Sequence, residues 1–139
     1  SSCNFMCQKN VLIDVLSSIK SISYGNDYIF GSLFKKMGID VNHIDNPVLI
    51  DNIDENQIFI KKTHHALDNL ISSYNNKIIK KHSISILKAY MILDNLLLKN
   101  VFVKITDLYR NLLKRNLYRK DPNLFLFDLY RLNYLCKIK

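Results

Sequence analysis

Glycine, proline and tryptophan are scarce in this sequence of 139 residues, which contains three glycines, two prolines and no tryptophan. An all-β sandwich or barrel needs a turn after each short strand, and glycine and proline supply most of those turns. Three scattered glycines cannot form a glycine-rich phosphate-binding loop either. These absences argue against an all-β architecture and favour helices joined by short connections.

Cysteine and long apolar runs are also scarce. An odd set of three, Cys3, Cys7 and Cys136, lacks the spacing of a disulfide framework and favours a reducing compartment. Cys3 and Cys7 fall on one helical face, but no second pair of metal ligands follows at the spacing of a zinc site. Asp94 and Asn95 separate the longest apolar runs, and the N-terminus lacks the pattern of a signal peptide. We therefore expect a soluble cytoplasmic chain without a transmembrane segment, metal or cofactor.

Apolar residues are plentiful, at 48% of the chain, and charged residues make up 23%, which is typical of a globular domain. The apolar residues recur at the helical period in six segments. These segments are 8–22, 26–37, 54–75, 81–99, 104–117 and 122–137. Residues 39–53 lack a period and are rich in Asp and Asn, which predicts a mobile loop. We predict an all-α single domain over residues 1–139, a helical bundle or short α-solenoid of about six helices.

The predicted helices differ in which faces they bury. The segment 81–99 is apolar nearly all round, so it should occupy the centre of the bundle and bury Leu93 and Leu97. Phe59 is predicted to be buried in the third helix, and Asp121-Pro122 is predicted to cap and begin the last. The helix over 104–117 is amphipathic. Its predicted inward residues are Ile105, Leu108, Tyr109, Leu112 and Leu113.

No motif indicates catalysis. Glu55 is the only glutamate, and the aspartates fall mostly at helix starts and in turns. His64 and Asp68, spaced i and i+4, could share a ligand face, but a surface histidine pair or one half-buried, hydrogen-bonded histidine is favoured. We expect a protein that is not an enzyme, with no catalytic residues and no metal site.

Positive charge is concentrated in the second half of the chain. Residues 1–60 carry four basic and seven acidic residues, a net of −3, whereas residues 61–139 carry sixteen and five, a net of +11. A basic cluster is predicted to meet an acidic surface, and its members lie near two helix junctions. They are Lys77, Lys80, Lys81, Arg110, Lys114, Arg115, Arg119 and Lys120. The alternative is a solvated lysine-rich face, and nucleic acid is disfavoured because no recognised binding motif is present.

The last helix is apolar over a wide arc that its neighbours have little remaining surface to cover. We predict that Leu124, Phe125, Leu129 and Leu132 take part in binding a helical partner. The alternative is that the last two helices simply pack against each other.

Several segments together resemble the C-terminal domain of the regulatory, non-catalytic subunit of katanin, the microtubule-severing complex. The similar stretches are Val11-Leu12-Ile13-Asp14-Val15-Leu16, the helix over 66–74, the leucine- and isoleucine-rich helix over 83–98, and Lys99-Asn100-Val101-Phe102-Val103-Lys104-Ile105. The chain departs from that family in having no glycine after Phe102, no tryptophan and no cysteine pair in the closing helix. Residues 25–55 look like an insertion.

The resemblance implies a helical scaffold that pairs with the N-terminal helical domain of the katanin catalytic ATPase subunit. It also implies help in binding microtubules, with a location at the cytoskeleton or spindle pole. Poxviral Bcl-2-like domains and membrane adaptors of the epsin type are competing likenesses. The first would bind a helix in a groove, and the second would place the basic cluster on anionic lipid.

Overall fold

The computed structural model describes residues 5–19, 24–45, 47, 55–79 and 84–138. In these ranges the chain forms seven α-helices and no strand, which confirms the all-α prediction with one helix more than expected. The helices are α1 Lys9–Ser17, α2 Asn26–Met37, α3 Asn56–Asn75, α4 Ser85–Asn95, α5 Lys99–Leu108, α6 Arg110–Leu117 and α7 Leu124–Lys137.

The last helix is the centre of the fold. α7 packs against α3, α4, α5 and α6, while α1 and α2 extend the core through α3. The most deeply buried side chains come from five different helices. They are Val15, Ile29, Leu67, Leu70, Leu87 and Leu135. Full burial of such a side chain stabilises the fold by about 1.5–3 kcal/mol, so these residues join five helices into one apolar core.

Two glycines determine where α2 begins and ends. Gly38 ends α2 in the left-handed conformation, with a φ of 70°, directly after the predicted segment 26–37. Gly25, at a φ of 90°, precedes α2 and lies against α3, where an added Cβ would be 2.6 Å from the Cβ of Ala66. α2 can therefore approach α3 this closely only because residue 25 has no side chain.

The prediction of one central helix over 81–99 is wrong. α4 ends at Asn95, and Leu97 takes a left-handed φ of 56° with its side chain 86% exposed. The amide of Leu97 donates to Asp94 O (3.0 Å), and that of Leu98 donates to Leu93 O (2.8 Å). These two bonds satisfy carbonyls at the helix end and redirect the chain into α5. Leucine rarely adopts the left-handed conformation, and Leu97 also fits the apolar pattern of the segment. The pattern therefore did not indicate a helix end at this residue.

The prediction for 104–117 is wrong in its bounds and mostly wrong in its buried face. The chain forms α5 and α6 with a break at Tyr109, and of the five predicted inward residues only Leu113 is buried. Ile105, Leu108 and Leu112 are all more than half exposed. The buried side of α5 instead contains Thr106, whose hydroxyl donates to Phe102 O of its own helix at 2.7 Å. Because that bond satisfies the hydroxyl, the polar residue can be buried.

Smaller differences occur at other helix ends. α1 stops at Ser17 instead of residue 22, because the Ser17 and Ser18 hydroxyls both donate to Asp14 O and compete with helix continuation. Phe59 on α3 is 45% exposed, contrary to the prediction that it is buried. Within the predicted loop 39–53, the described residues 39–45 and 47 contain neither helix nor strand, and the others lie outside the described residues.

Candidate interaction site

A polar hairpin joins α6 to α7 and positions the residues predicted to bind a partner. The amide group of Asn116 donates to Asn123 O (2.9 Å), and Asn116 Oδ1 accepts from the amide of Asn123 (2.8 Å). Asn123 in turn caps α7, accepting from the amides of Phe125 and Leu126 at 2.9 and 3.2 Å. The cap is therefore Asn123 and not the predicted Asp121-Pro122 pair. These bonds hold the start of α7 in one conformation.

The predicted partner-binding residues are most exposed at the start of α7. Leu124 is 73% exposed and Phe125 is 69% exposed, whereas Leu129 and Leu132 are half-buried. Phe125, Leu129 and Leu132 are spaced i, i+4 and i+7, so they share one face of the helix. Burial on this face decreases toward the N-terminal end of α7, where the ring of Phe125 lies in solvent.

Five of the predicted basic residues lie together on α6 and in the turn that leads to α7. Arg110, Lys114 and Arg115 are exposed along α6, and Arg119 and Lys120 are exposed in the turn. None of the five forms a salt bridge with any other residue in the described ranges. The pKa of Asp107 is lowered chiefly by Lys137 and partly by Arg110, and the other four cations have no ion pair in the described ranges.

Lys77 lies at the other end of the molecule. Three contacts in register show that α3 and α7 run in the same direction. The pairs are Phe59 with Phe127, His64 with Tyr130, and Asp68 with Tyr134. Lys77 follows the C-terminus of α3, whereas the basic turn precedes the N-terminus of α7, which is 14 residues or about 21 Å long. The structure thus separates Lys77 from the α6 cations, and Lys80 and Lys81 lie outside the described residues.

The histidine considered as a ligand belongs to the contact between α3 and α7. His64 stacks on Tyr134 with ring centroids 3.8 Å apart, and its Nε2 lies 2.8 Å from the Tyr130 hydroxyl. The Tyr134 hydroxyl donates to Asp68 at 3.1 Å. Burial lowers the pKa of His64 and raises the pKa values of both tyrosines, so all three are neutral at pH 7. This cluster joins α3 to α7, and its contacts involve both His64 and Asp68, the two residues that could have shared a ligand face.

The described residues offer no assembled centre for metal binding, because no three His, Cys, Asp or Glu side chains among them converge. Burial raises the pKa of the Cys136 thiol to about 11, which makes it a weak nucleophile at neutral pH. In the part of the chain that the structure describes, none of the helices is long and apolar enough to span a lipid bilayer.

A second exposed apolar surface, on the outer side of α5, was missed because Ile105 and Leu108 were predicted to face inward and Val101 lay outside the predicted helices. Val101, Ile105 and Leu108 are between half and four-fifths exposed. α5 lies between two helix breaks, at Leu97 and at Tyr109, and these three side chains lie on the side of α5 away from α7. Lys104 within the same stripe was the available signal, since a lysine between apolar residues marks a boundary of burial.

No protein family, curated protein or solved structure matches this chain. The resemblance to the katanin regulatory subunit therefore remains a prediction from the residues quoted above.

Proposed function

We propose that this chain is a non-catalytic helical scaffold that binds an amphipathic helix of a partner protein at the start of α7. The observation that carries the proposal is the exposure of Phe125, 69% of whose surface is in solvent on a helix that is otherwise central to the fold. An exposed aromatic ring held by a fixed helix cap loses little conformational freedom on binding, which is a property of interface anchors.

The surroundings of Phe125 favour an acidic partner helix. Leu129 and Leu132 continue its face toward the core, so a partner with apolar residues at matching helical spacing would extend that core. Arg119 and Lys120 lie in the turn before α7 and have no salt bridge within the described ranges. Aspartate or glutamate at one end of the partner helix would meet these cations, which would set its orientation and increase its rate of association.

The more specific form of the proposal takes the partner to be the N-terminal domain of the katanin catalytic ATPase subunit. The similarity of residues 11–16, 66–74 and 83–105 to the katanin regulatory subunit supports it. The cations of α6 would then assist binding to the acidic tails of tubulin, which the net charge of +11 over residues 61–139 favours.

Binding of the purified chain to two probes tests both forms. One probe is the purified N-terminal domain of the katanin catalytic subunit, and the other is a synthetic helix with leucines on one face and glutamates at one end. Phe125→Ala should weaken binding about 30-fold or more, as expected for a central aromatic anchor. Leu108→Ala, which also removes an exposed side chain, should leave the affinity unchanged.

Unchanged affinity in Phe125→Ala, with circular dichroism equal to that of the original chain, would refute the proposed site. Binding of the synthetic helix without binding of the ATPase domain would refute only the katanin form.

A further inference from the structure

A continuous apolar surface lies on the outer side of α5, away from the site proposed at α7. We define the outer α5 surface as Leu97, Val101, Ile105 and Leu108, which are 86%, 51%, 55% and 80% exposed. Scattered single apolar residues are normal on protein surfaces, but contiguous ones mark a site of interaction. Leu97 lies two residues before α5 and the other three lie on it, so the four exposed residues fall within one short segment of the chain.

The helix geometry aligns this surface. Val101, Ile105 and Leu108 are spaced by four and three residues, so they form a single stripe about 10 Å long. The opposite side of α5 faces α7, where Thr106 accepts a hydrogen bond from the amide group of Asn133. The stripe therefore points away from the core, and no rotation of α5 could bury it without breaking that buried polar contact.

The charges around the stripe are positive. Residues 85–117 contain six basic and two acidic residues. Both acidic residues are compensated, because Asp94 pairs with Lys99 at 2.8 Å and Asp107 pairs with Lys137. Lys104 and Arg110 are exposed and form no salt bridge in the described part of the chain, and Arg110 adds to Lys137 in lowering the pKa of Asp107. Lys104 lies between Val101 and Ile105 along α5, and Arg110 follows Leu108 by two residues.

The shape of this surface distinguishes its occupant. At the start of α7 the exposed apolar face continues into the half-buried Leu129 and Leu132, against which a partner helix can pack, whereas every residue of the outer α5 surface is more than half exposed and protrudes into solvent. A second copy of the chain would bring two basic rims together, and like charges would repel. Protruding apolar residues beside unpaired cations are the features of a surface that lies in the membrane interface.

We propose that the outer α5 surface binds the interface of an anionic membrane. Leu97 and Leu108 enter the boundary between headgroups and acyl chains, and Lys104 and Arg110 contact the anionic headgroups. The chain then lies on the bilayer without spanning it, and the start of α7 remains free for a protein partner. This inference is independent of the helix-binding site proposed above, since the start of α7 and the outer α5 surface share no residue. Arg110 is also one of the α6 cations, so Lys104 is the cation that tests the membrane surface separately.

Sedimentation of the chain with phosphatidylcholine vesicles, with and without phosphatidylserine, tests this inference. We expect binding only to the phosphatidylserine vesicles, and a decrease in binding as salt rises. Leu97→Gly combined with Leu108→Ala should lower binding at least tenfold. Glycine keeps the left-handed backbone of residue 97, and alanine keeps α5 helical, so the fold is retained. Lys104→Gln should lower binding about fivefold, from the contribution of one cation near the surface.

Leu124→Ser is the matched control, because it removes an equally exposed leucine from the start of α7. It should leave vesicle binding unchanged. Loss of binding in Leu124→Ser with retention in the Leu97 and Leu108 variant would overturn the inference, and so would a failure of the original chain to sediment with phosphatidylserine vesicles at low salt. Binding to neutral and anionic vesicles alike would refute the role of Lys104 and Arg110.

Discussion

Lys77 and Leu97 end α3 and α4 in the left-handed conformation, with φ angles of 58° and 56°. At both ends the next residue donates its amide to a carbonyl five residues earlier, from Ile78 to Ser73 O at 3.0 Å and from Leu98 to Leu93 O at 2.8 Å. Glycine is the usual residue at such positions because a Cβ atom is strained there. The left-handed backbone at Lys77 and at Leu97 therefore lowers the stability of the folded state.

Lys77→Gly should relieve that cost. The left-handed conformation costs about 1–2 kcal/mol in a residue with a Cβ atom. Glycine removes this cost, but its greater freedom in the unfolded chain offsets about 0.5–1 kcal/mol of the gain. We expect the free energy of unfolding to rise by about 0.5–1 kcal/mol, measured by urea denaturation. Lys88→Gly, at an exposed position within α4, is the control and should lower it by about 1 kcal/mol. A loss of stability in Lys77→Gly would show that the Lys77 side chain contributes more than its backbone costs.

His64 is the residue whose protonation should affect stability at mildly acidic pH. Its pKa lies below the ordinary value of 6.5, chiefly because of burial, and only partly offset by the nearby Asp68. The unfolded chain therefore binds this proton more readily than the folded one. Stability from this group is complete above pH 6.5 and is lost as pH falls toward the lowered pKa.

Denaturation at a series of pH values checks this expectation. The free energy of unfolding should fall as pH is lowered from about 6.5, and His64→Gln should remove most of this slope. His65→Gln is the matched control, since His65 is adjacent and exposed, and it should retain the slope. If both variants behave alike, the pH dependence arises elsewhere.

At the scale of elements, α7 has the role that the pattern of apolar residues assigned to 81–99. Its Leu135 is completely buried, and α4, the helix actually formed within 81–99, ends before Leu97. The reason lies in the polar residues that α7 buries. Asn133 bonds to Thr106 on α5, and Tyr134 bonds to Asp68 on α3, so α7 can be surrounded despite its polar positions.

A pair of alanine substitutions measures this difference. Leu135→Ala should lower the free energy of unfolding by about 2–5 kcal/mol, because it leaves a cavity in the core. Leu97→Ala should change it by less than about 0.5 kcal/mol, as for other exposed positions. Chemical denaturation of both variants with equal m-values gives the comparison directly. Equal losses would place Leu97 in the core and contradict the break between α4 and α5.

At the scale of the whole molecule, positive charge is concentrated in residues 61–139, and α6 with the turn after it carries five exposed basic residues. We expect binding to an acidic polymer, with microtubules as the probe, to weaken steadily as salt rises. Replacing the four cations Lys114, Arg115, Arg119 and Lys120 by glutamate should abolish co-sedimentation without changing circular dichroism. Lys77→Glu should have little effect, because Lys77 lies at the opposite end of α7. Removal of the acidic tubulin tails should abolish binding too, and binding that survives it would contradict the charge mechanism.

Local sequence determined the fold class and several helix limits. The scarcity of glycine and proline, with the helical period of apolar residues, predicted an all-α chain. The predicted end of the segment 26–37 coincides with the end of α2, because Gly38 supplies the left-handed conformation that follows a helix. The exposed start of α7 follows partly from local sequence as well, because its apolar arc was wider than its neighbours could cover.

Only the tertiary structure decided which side of α5 is buried and where the cations gather. Val101, Ile105 and Leu108 are as apolar as many core residues, yet α5 buries the side that carries Thr106, because Asn133 of α7 meets it there. Lys77 and the α6 cations looked equivalent along the chain, but the common direction of α3 and α7 separates them. The helical period of apolar residues indicates which face of a helix is apolar. Whether that face is buried depends on the neighbouring helix, whose residues lie far away in the sequence.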